Sequence, residues 1–370
     1  MALELRASMT EGGGGVVLAA MREQWASMTG MACMFVSTIL IGLSIQPIYN
    51  VPEARAFGEE GASTASFVLF ELIMIGVFTV AIIWLARRNF DLMIKLIVYF
   101  ALSMSLFYAI QPYIALPFWL VGWEWMLGLN VALISGALSL GLMILLYRFP
   151  EWYVVNGVGV LVGAGVVTLI GVSFVPVLII GFMVAAAIYD HWAVNGSKHM
   201  LELADTMIGL KLPVLLVAPK SANYSFIDEE DSVMGEDRGE TRDQIDWDDP
   251  VPHLENVKVK KEGRDALFMG LGDVIFPGML VISSVSFLPQ TGGEVTYFSA
   301  FGVMYADPLI VALGTLFGGL LGYFALMTQV AMGKPQAGLP LLNGGSILGY
   351  LVSGYFALGI GNLWQDITFF

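Results

Sequence analysis

The sequence predicts an all-α polytopic membrane protein with nine transmembrane helices and one long acidic loop between spans six and seven. Three observations carry this. Of its 370 residues 57% are hydrophobic and 13% charged, mean hydropathy is +0.76, and the apolar residues fall into runs of about 20, the length that crosses a hydrocarbon core of about 30 Å. The charge is concentrated instead. Between Asp228 and Glu262 stand thirteen acids and five bases, so about −8 of the net −14 lies in one segment.

Taken in order, residues 1–28 contain Gly12 to Gly15 and read as a flexible or interfacial lead-in. The first long apolar run starts too far in, and continues too long, for a cleaved signal peptide. Spans follow at Thr29–Tyr49, Ser66–Leu85, Leu92–Ile110, Leu127–Tyr147, Val154–Val172 and Val175–Val194, together residues 29–194. Trp119, Trp123 and Trp125 before span four form an interfacial belt. Residues 195–264 are a soluble interruption. Met200, Leu203, Ala204, Met207 and Ile208 recur at helical spacing, as in an amphipathic helix lying on a membrane, and the acidic loop follows. Acid-rich, lysine-poor segments of this kind fit a high-salt, archaeal setting. Residues 265–370 hold spans seven to nine, at Ala266–Leu288, Pro308–Val330 and Leu339–Leu358.

The distribution of basic residues sets the orientation. With the N-terminus cytoplasmic, the inner loops hold Arg87, Arg88, Arg148, Lys334 and every base between spans six and seven, while the outer loops hold only Arg55. That bias places the N-terminus inside and the C-terminus outside, in a multi-pass protein of the cell membrane. The same numbers exclude other classes. A net charge of −14 argues against nucleic acid. The single cysteine, Cys33, and the unclustered His191, His199 and His253 argue against a metal site.

The chemistry resides in two carboxyls that interrupt apolar runs. Asp190 closes Val184-Ala-Ala-Ala-Ile-Tyr189-Asp190, and Asp273 sits in Phe268-Met-Gly270-Leu271-Gly272-Asp273-Val-Ile-Phe276. A charged side chain near the bilayer centre costs about 2.5–3.5 kcal/mol on insertion scales, so such residues tend to be paired and functional. The loop between them returns the chain to the same side, and two antiparallel spans bring both carboxyls to one depth near the cytoplasmic face. Carboxyls in contact share a proton: one draws a proton from water while the other polarises a peptide carbonyl. Gly270 and Gly272 clear the space beside Asp273 for a helix or an extended substrate, although glycine pairs also serve plain helix packing. Pro335 and Pro340 break or extend the start of span nine, or simply mark a helix start. Exposed carbonyls there would pair with an unwound substrate.

Glu71, inside span two, is the rival intramembrane carboxyl, either part of the active cavity or held by a hydroxyl, amide or backbone group. Glu124, Asp265 and Asp307 lie at span ends. His191 points about 100° away from Asp190 on a helix and reads as interfacial. Paired intramembrane carboxyls also suit a proton- or cation-coupled transporter or channel. No internal repeat of the kind common in transporters is found, and the odd span count favours a protease.

These residues resemble the presenilin and signal peptide peptidase family of intramembrane aspartyl proteases. Tyr189-Asp190 in span six, Gly270-Leu271-Gly272-Asp273 in span seven and Ala337-Gly338-Leu339-Pro340 at span nine match its Tyr-Asp, Gly-x-Gly-Asp and Pro-Ala-Leu motifs. The third departs at Ala337 and Gly338, leaving Leu339 and Pro340 in agreement. The resemblance implies Asp190 and Asp273 as the catalytic pair, with the remaining motif residues shaping the site and receiving substrate. It further implies single-span transmembrane helices as substrates, in the N-out, C-in sense, and water as nucleophile with no cofactor. Self-association into a homo-oligomer is left open.

Overall fold

The computed structural model describes residues 2–88, 90–193, 215–220, 225, 266–296, 301–330 and 337–368. Lys198–Ile208, the acidic loop, His199, His253, Lys334 and Pro335 lie outside these residues. Ten α-helices are described: α1 (Ala2–Tyr49), the one-turn α2 (Gly58–Gly61), α3 (Ala65–Arg87), α4 (Asp91–Val121), α5 (Leu129–Arg148), α6 (Trp152–Gly171), α7 (Pro176–Trp192), α8 (Leu271–Phe287), α9 (Ala306–Val330) and α10 (Leu339–Ala357). Among the described residues six segments are long and apolar enough to cross a membrane: Gln24–Tyr49 within α1, α3, Leu92–Val121 within α4, α5, α6 and α9. Helices α7 and α8 are apolar but shorter, at 17 residues each. They carry the two aspartates.

The described residues are mostly helical, with two short strand pairs beside the helices. Strand β1 (Leu215–Pro219) pairs antiparallel with β2 (Ala266–Gly270), and β3 (Glu294–Val295) with β4 (Met304–Tyr305). What reads in sequence as the first turn of span seven is therefore extended, and helix starts only at Leu271. The reason is the partner strand. In the Leu215-Leu-Val-Ala-Pro219 run, Leu216, Val217 and Ala218 are buried, and the backbone of Val217 is held on one side by Asn156 of α6. The Asn156 amide nitrogen donates to the Val217 carbonyl at 2.6 Å and its oxygen accepts from the Val217 N–H at 2.8 Å, standing in for a third strand.

Two other boundaries differ from the sequence reading. Helix α1 is continuous through residues 2–28, with good helix formers on either side of Gly12 to Gly15 carrying the turn across them. Helix α4 runs on past Ile110 to Val121, through Pro112 and Pro117, until Gly122 at φ +76° ends it. Proline 112 removes the bond to the carbonyl four residues back, that of Tyr108, and the Tyr49 hydroxyl donates to that oxygen at 2.7 Å. Trp119, Trp123 and Trp125 stay exposed, as an interfacial belt requires.

The core lies where α1, α6, α8 and α9 meet. Phe35, Ile39, Val167, Val281, Ile282 and Tyr323 are fully buried there, and the Tyr323 hydroxyl donates to the Met28 carbonyl at 2.9 Å. Helices α9 and α10 touch backbone to backbone. A Cβ built at Gly318 or Gly322 runs into the carbonyls of Gly345 or Leu341, and one at Gly345 or Gly349 into those of Gly318 or Gly314. Helix α3 is the opposite case: only Ile82 and Leu85 are buried along its length. Its first turn is tied to the end of the chain, the Ala65 N–H donating to the Thr368 carbonyl at 2.8 Å. Arg55 stacks its guanidinium over Phe287 at 4.9 Å.

Candidate active site

The site is assembled from three chain segments that each end or begin at one face of the bundle. Strand β2 passes into α8 at Gly270, whose φ of −62° and ψ of 137° make it the residue before the first turn. Asp273 is then the third residue of the helix. An acid at this position reaches back to the N–H of the residue before the helix, and the Asp273 carboxyl is hydrogen-bonded to the Gly270 backbone. A Cβ at Gly270 would stand 3.5 Å from Asp273 Oδ2. The Gly-x-Gly-Asp spacing is thus the spacing of a strand-to-helix cap. Pro277, four residues on, cannot donate to the Asp273 carbonyl.

The second segment is the end of α7. Asp190 is buried, 7% exposed, in the last turn of that helix, while Tyr189 (44%) and Trp192 (56%) face outward with ring centroids 6.2 Å apart. His191 is exposed, as its place on the helix predicts.

The third segment starts α10. Pro340 takes the second position of that helix and has no N–H, so Leu339 supplies the first available donor. The Leu339 N–H donates to Asp190 Oδ2 at 3.2 Å, so a carboxyl of α7 caps α10 from outside. One residue earlier, a Cβ at Gly338 would lie 3.3 Å from Asp273 Oδ2 and 3.4 Å from its Cγ. Both carboxyls therefore rest against the Gly338–Leu339 stretch.

Among the motif residues, Asp190, Asp273, Gly270, Gly338 and Leu339 come together. Gly272 is open to a neighbouring cavity, Leu271 (6% exposed) packs into the core, and Ala337 (9%) is buried beside Gly338. Tyr189 is turned toward the outside of α7.

One positioning residue was not found by sequence reasoning. Asn343 is buried in α10 and its amide nitrogen donates to the Met183 carbonyl of α7 at 2.9 Å, fixing the two helices that carry the Asp190–Leu339 contact. An amide inside an apolar span is the same signal as a carboxyl in a weaker form. Glu71 has no hydrogen-bond partner among the described residues. It lines the cavity beside Gly272.

The family model for signal-peptide peptidase, presenilin aspartyl protease matches residues 31–360. The chain belongs to that family. Two crystal forms of a presenilin family intramembrane aspartate protease, C222 and P2, share its fold. They are 24% and 25% identical in sequence, cover 89% and 90% of this chain and 99% and 100% of theirs, and each has a TM-score of 0.55. Among curated proteins no relative matches. This presenilin-family chain is accordingly a multi-pass membrane protein and an aspartic-type endopeptidase. The transporter reading has no support.

Proposed function

We propose that Asp190 and Asp273 are the catalytic pair and that they cleave single-span transmembrane helices within the bilayer. The observation that carries this is their convergence on one short backbone stretch: Asp190 accepts from the Leu339 N–H, and Asp273 lies against Gly338. Three elements are tied together at that point, and among the described residues the only acids there are the two aspartates. One carboxylate takes a proton from a water held between the pair, and the oxygen attacks the scissile carbonyl carbon. The protonated partner donates to the carbonyl oxygen. Collapse of the tetrahedral intermediate breaks the C–N bond: the amine leaves with the proton that came from water, and the hydroxyl formed from the carbonyl oxygen returns its proton to the partner carboxylate as the C=O reforms. The pair ends with one proton, as it began. No cofactor is needed, because water is the nucleophile.

Cleavage requires an extended substrate, since a helix hides its carbonyl carbons in the turn. Strand β2 leads directly into Gly270 and Asp273, and an unwound segment placed alongside it would present its peptide bonds to the pair. Nine spans follow if α7, α8 and α10 cross together with the six longer segments. The basic residues then place the N-terminus and residues 195–264 in the cytoplasm and the C-terminus outside. In that frame the β1–β2 pair and both aspartates lie toward the cytoplasmic face, and N-out, C-in helices bring their lower halves to the site.

The test is cleavage of a reconstituted single-span substrate by the wild type, Asp190→Asn and Asp273→Asn, with folding checked by thermal unfolding. Asparagine keeps the size and loses the shared proton. Each variant should lose at least about a thousandfold in kcat. Full activity in either would remove that residue from the pair.

A further inference from the structure

Between α3, α6, α7 and α8 is a cavity of about 230 Å³. Its walls are Val68, Ile75, Ile170, Phe182, Phe276 and similar apolar residues, with Gly272 at one end. A single ionisable group reaches it, Glu71 of α3. From Gly272 to Met279 the cavity follows α8 for seven residues, about 10 Å, or two turns. It thus starts at Gly272, the residue before Asp273 in the chain, and runs along α8 toward the middle of that helix.

Nothing in the fold calls for a carboxyl at position 71. It makes no hydrogen bond among the described residues, it is the one acid of α3, and most of that helix faces outward. A carboxyl kept in an apolar recess needs a partner that arrives from elsewhere. Within a bilayer the partner that gains most is a lysine or arginine of another helix. Serine and threonine satisfy themselves on their own backbone, whereas a lone cation has no such recourse.

We propose that Glu71 is a specificity determinant that favours substrate helices bearing a lysine or arginine within about two helical turns of the scissile bond. This rests on the protease reading above. The pairing relieves two buried charges at once, and it sets the register in which the substrate lies along α8 toward Asp273.

The probe is a single-span peptide with Leu, Gln, Lys or Glu at one position, moved stepwise across seven residues on the outer side of the cleaved bond. Binding to the Asp273→Asn protein in nanodiscs is followed by fluorescence anisotropy, and cleavage by the wild type runs in parallel. At one position the Lys peptide should bind about tenfold tighter than the Leu peptide. Glu71→Gln should abolish that ratio, and Glu71→Lys should transfer the preference to the Glu peptide, a reversal that loosened packing cannot produce. An equal Lys-to-Leu ratio with Glu71 and with Glu71→Gln at every position would overturn the proposal. Binding without cleavage by the wild type would count against the protease reading, whereas cleavage without charge preference would count against Glu71 alone.

Discussion

Gly338 shows how little room the two carboxyls have. Its φ of −77° and ψ of −41° suit any residue, so a methyl group there costs nothing in backbone strain, yet it would press on Asp273 at 3.3 Å. Gly338→Ala is therefore expected to lower kcat by about tenfold, with the melting temperature unchanged. A parallel fall in stability would show that the glycine serves packing instead. Tyr49 gives the converse case, a hydroxyl that serves stability. Its donation to the Tyr108 carbonyl covers an acceptor freed by Pro112, so Tyr49→Phe should cost about 1–3 kcal/mol in denaturant unfolding. At this scale the sequence was informative where a residue was chemically out of place. Asp190 and Asp273 stood out as acids in apolar runs. Asn156 and Asn343 broke the same rule less loudly, and their partners, the backbones of Val217 and Met183, are 61 and 160 residues away. No local pattern encodes those distances.

Among the elements, β1 and β2 are the ones that sequence periodicity concealed. Ala266-Leu-Phe-Met-Gly270 is apolar at every position but the last and joins an apolar helix without a break, so a short buried strand looks like the helix's first turn. Only the tertiary partner decides. If Asn156 holds β1 in place, Asn156→Leu should raise amide exchange across residues 215–219 and slow cleavage severalfold by loosening the start of α8. Unchanged exchange would mean that β2 alone holds β1. The α9–α10 contact was open to reading in sequence, since Gly314, Gly318 and Gly322 recur every four residues and face Gly345 and Gly349, the small-residue spacing of close helix pairs. Gly318→Leu places a side chain where a backbone lies, and no rotamer avoids it. The folded yield should collapse, unlike that of Gly272→Ala, whose added methyl meets nothing within 4 Å.

Across the whole molecule the packing is uneven. The α1, α6, α8 and α9 core is dense, while α3 is held at its first turn by Thr368 and near its far end by the buried Ile82 and Leu85, with most of its length exposed. With Cys33 replaced, spin labels at Val80 of α3 and Ile188 of α7 should give a broad distance distribution in nanodiscs. Labels at Phe317 of α9 and Leu348 of α10 should give a narrow one. Equal widths would show that α3 is as fixed as the core. The backbone contact between α9 and α10 has a mechanical consequence. With no side chains between them to reorient, the two helices tilt as one stiff lever, and one end of that lever is the Gly338–Leu339 stretch that carries both carboxyls. Hydrocarbon thickness, which sets helix tilt, thereby becomes an input to the alignment of the aspartates. Turnover in bilayers of graded acyl length should pass through an optimum, and the Km for substrate should change less than kcat.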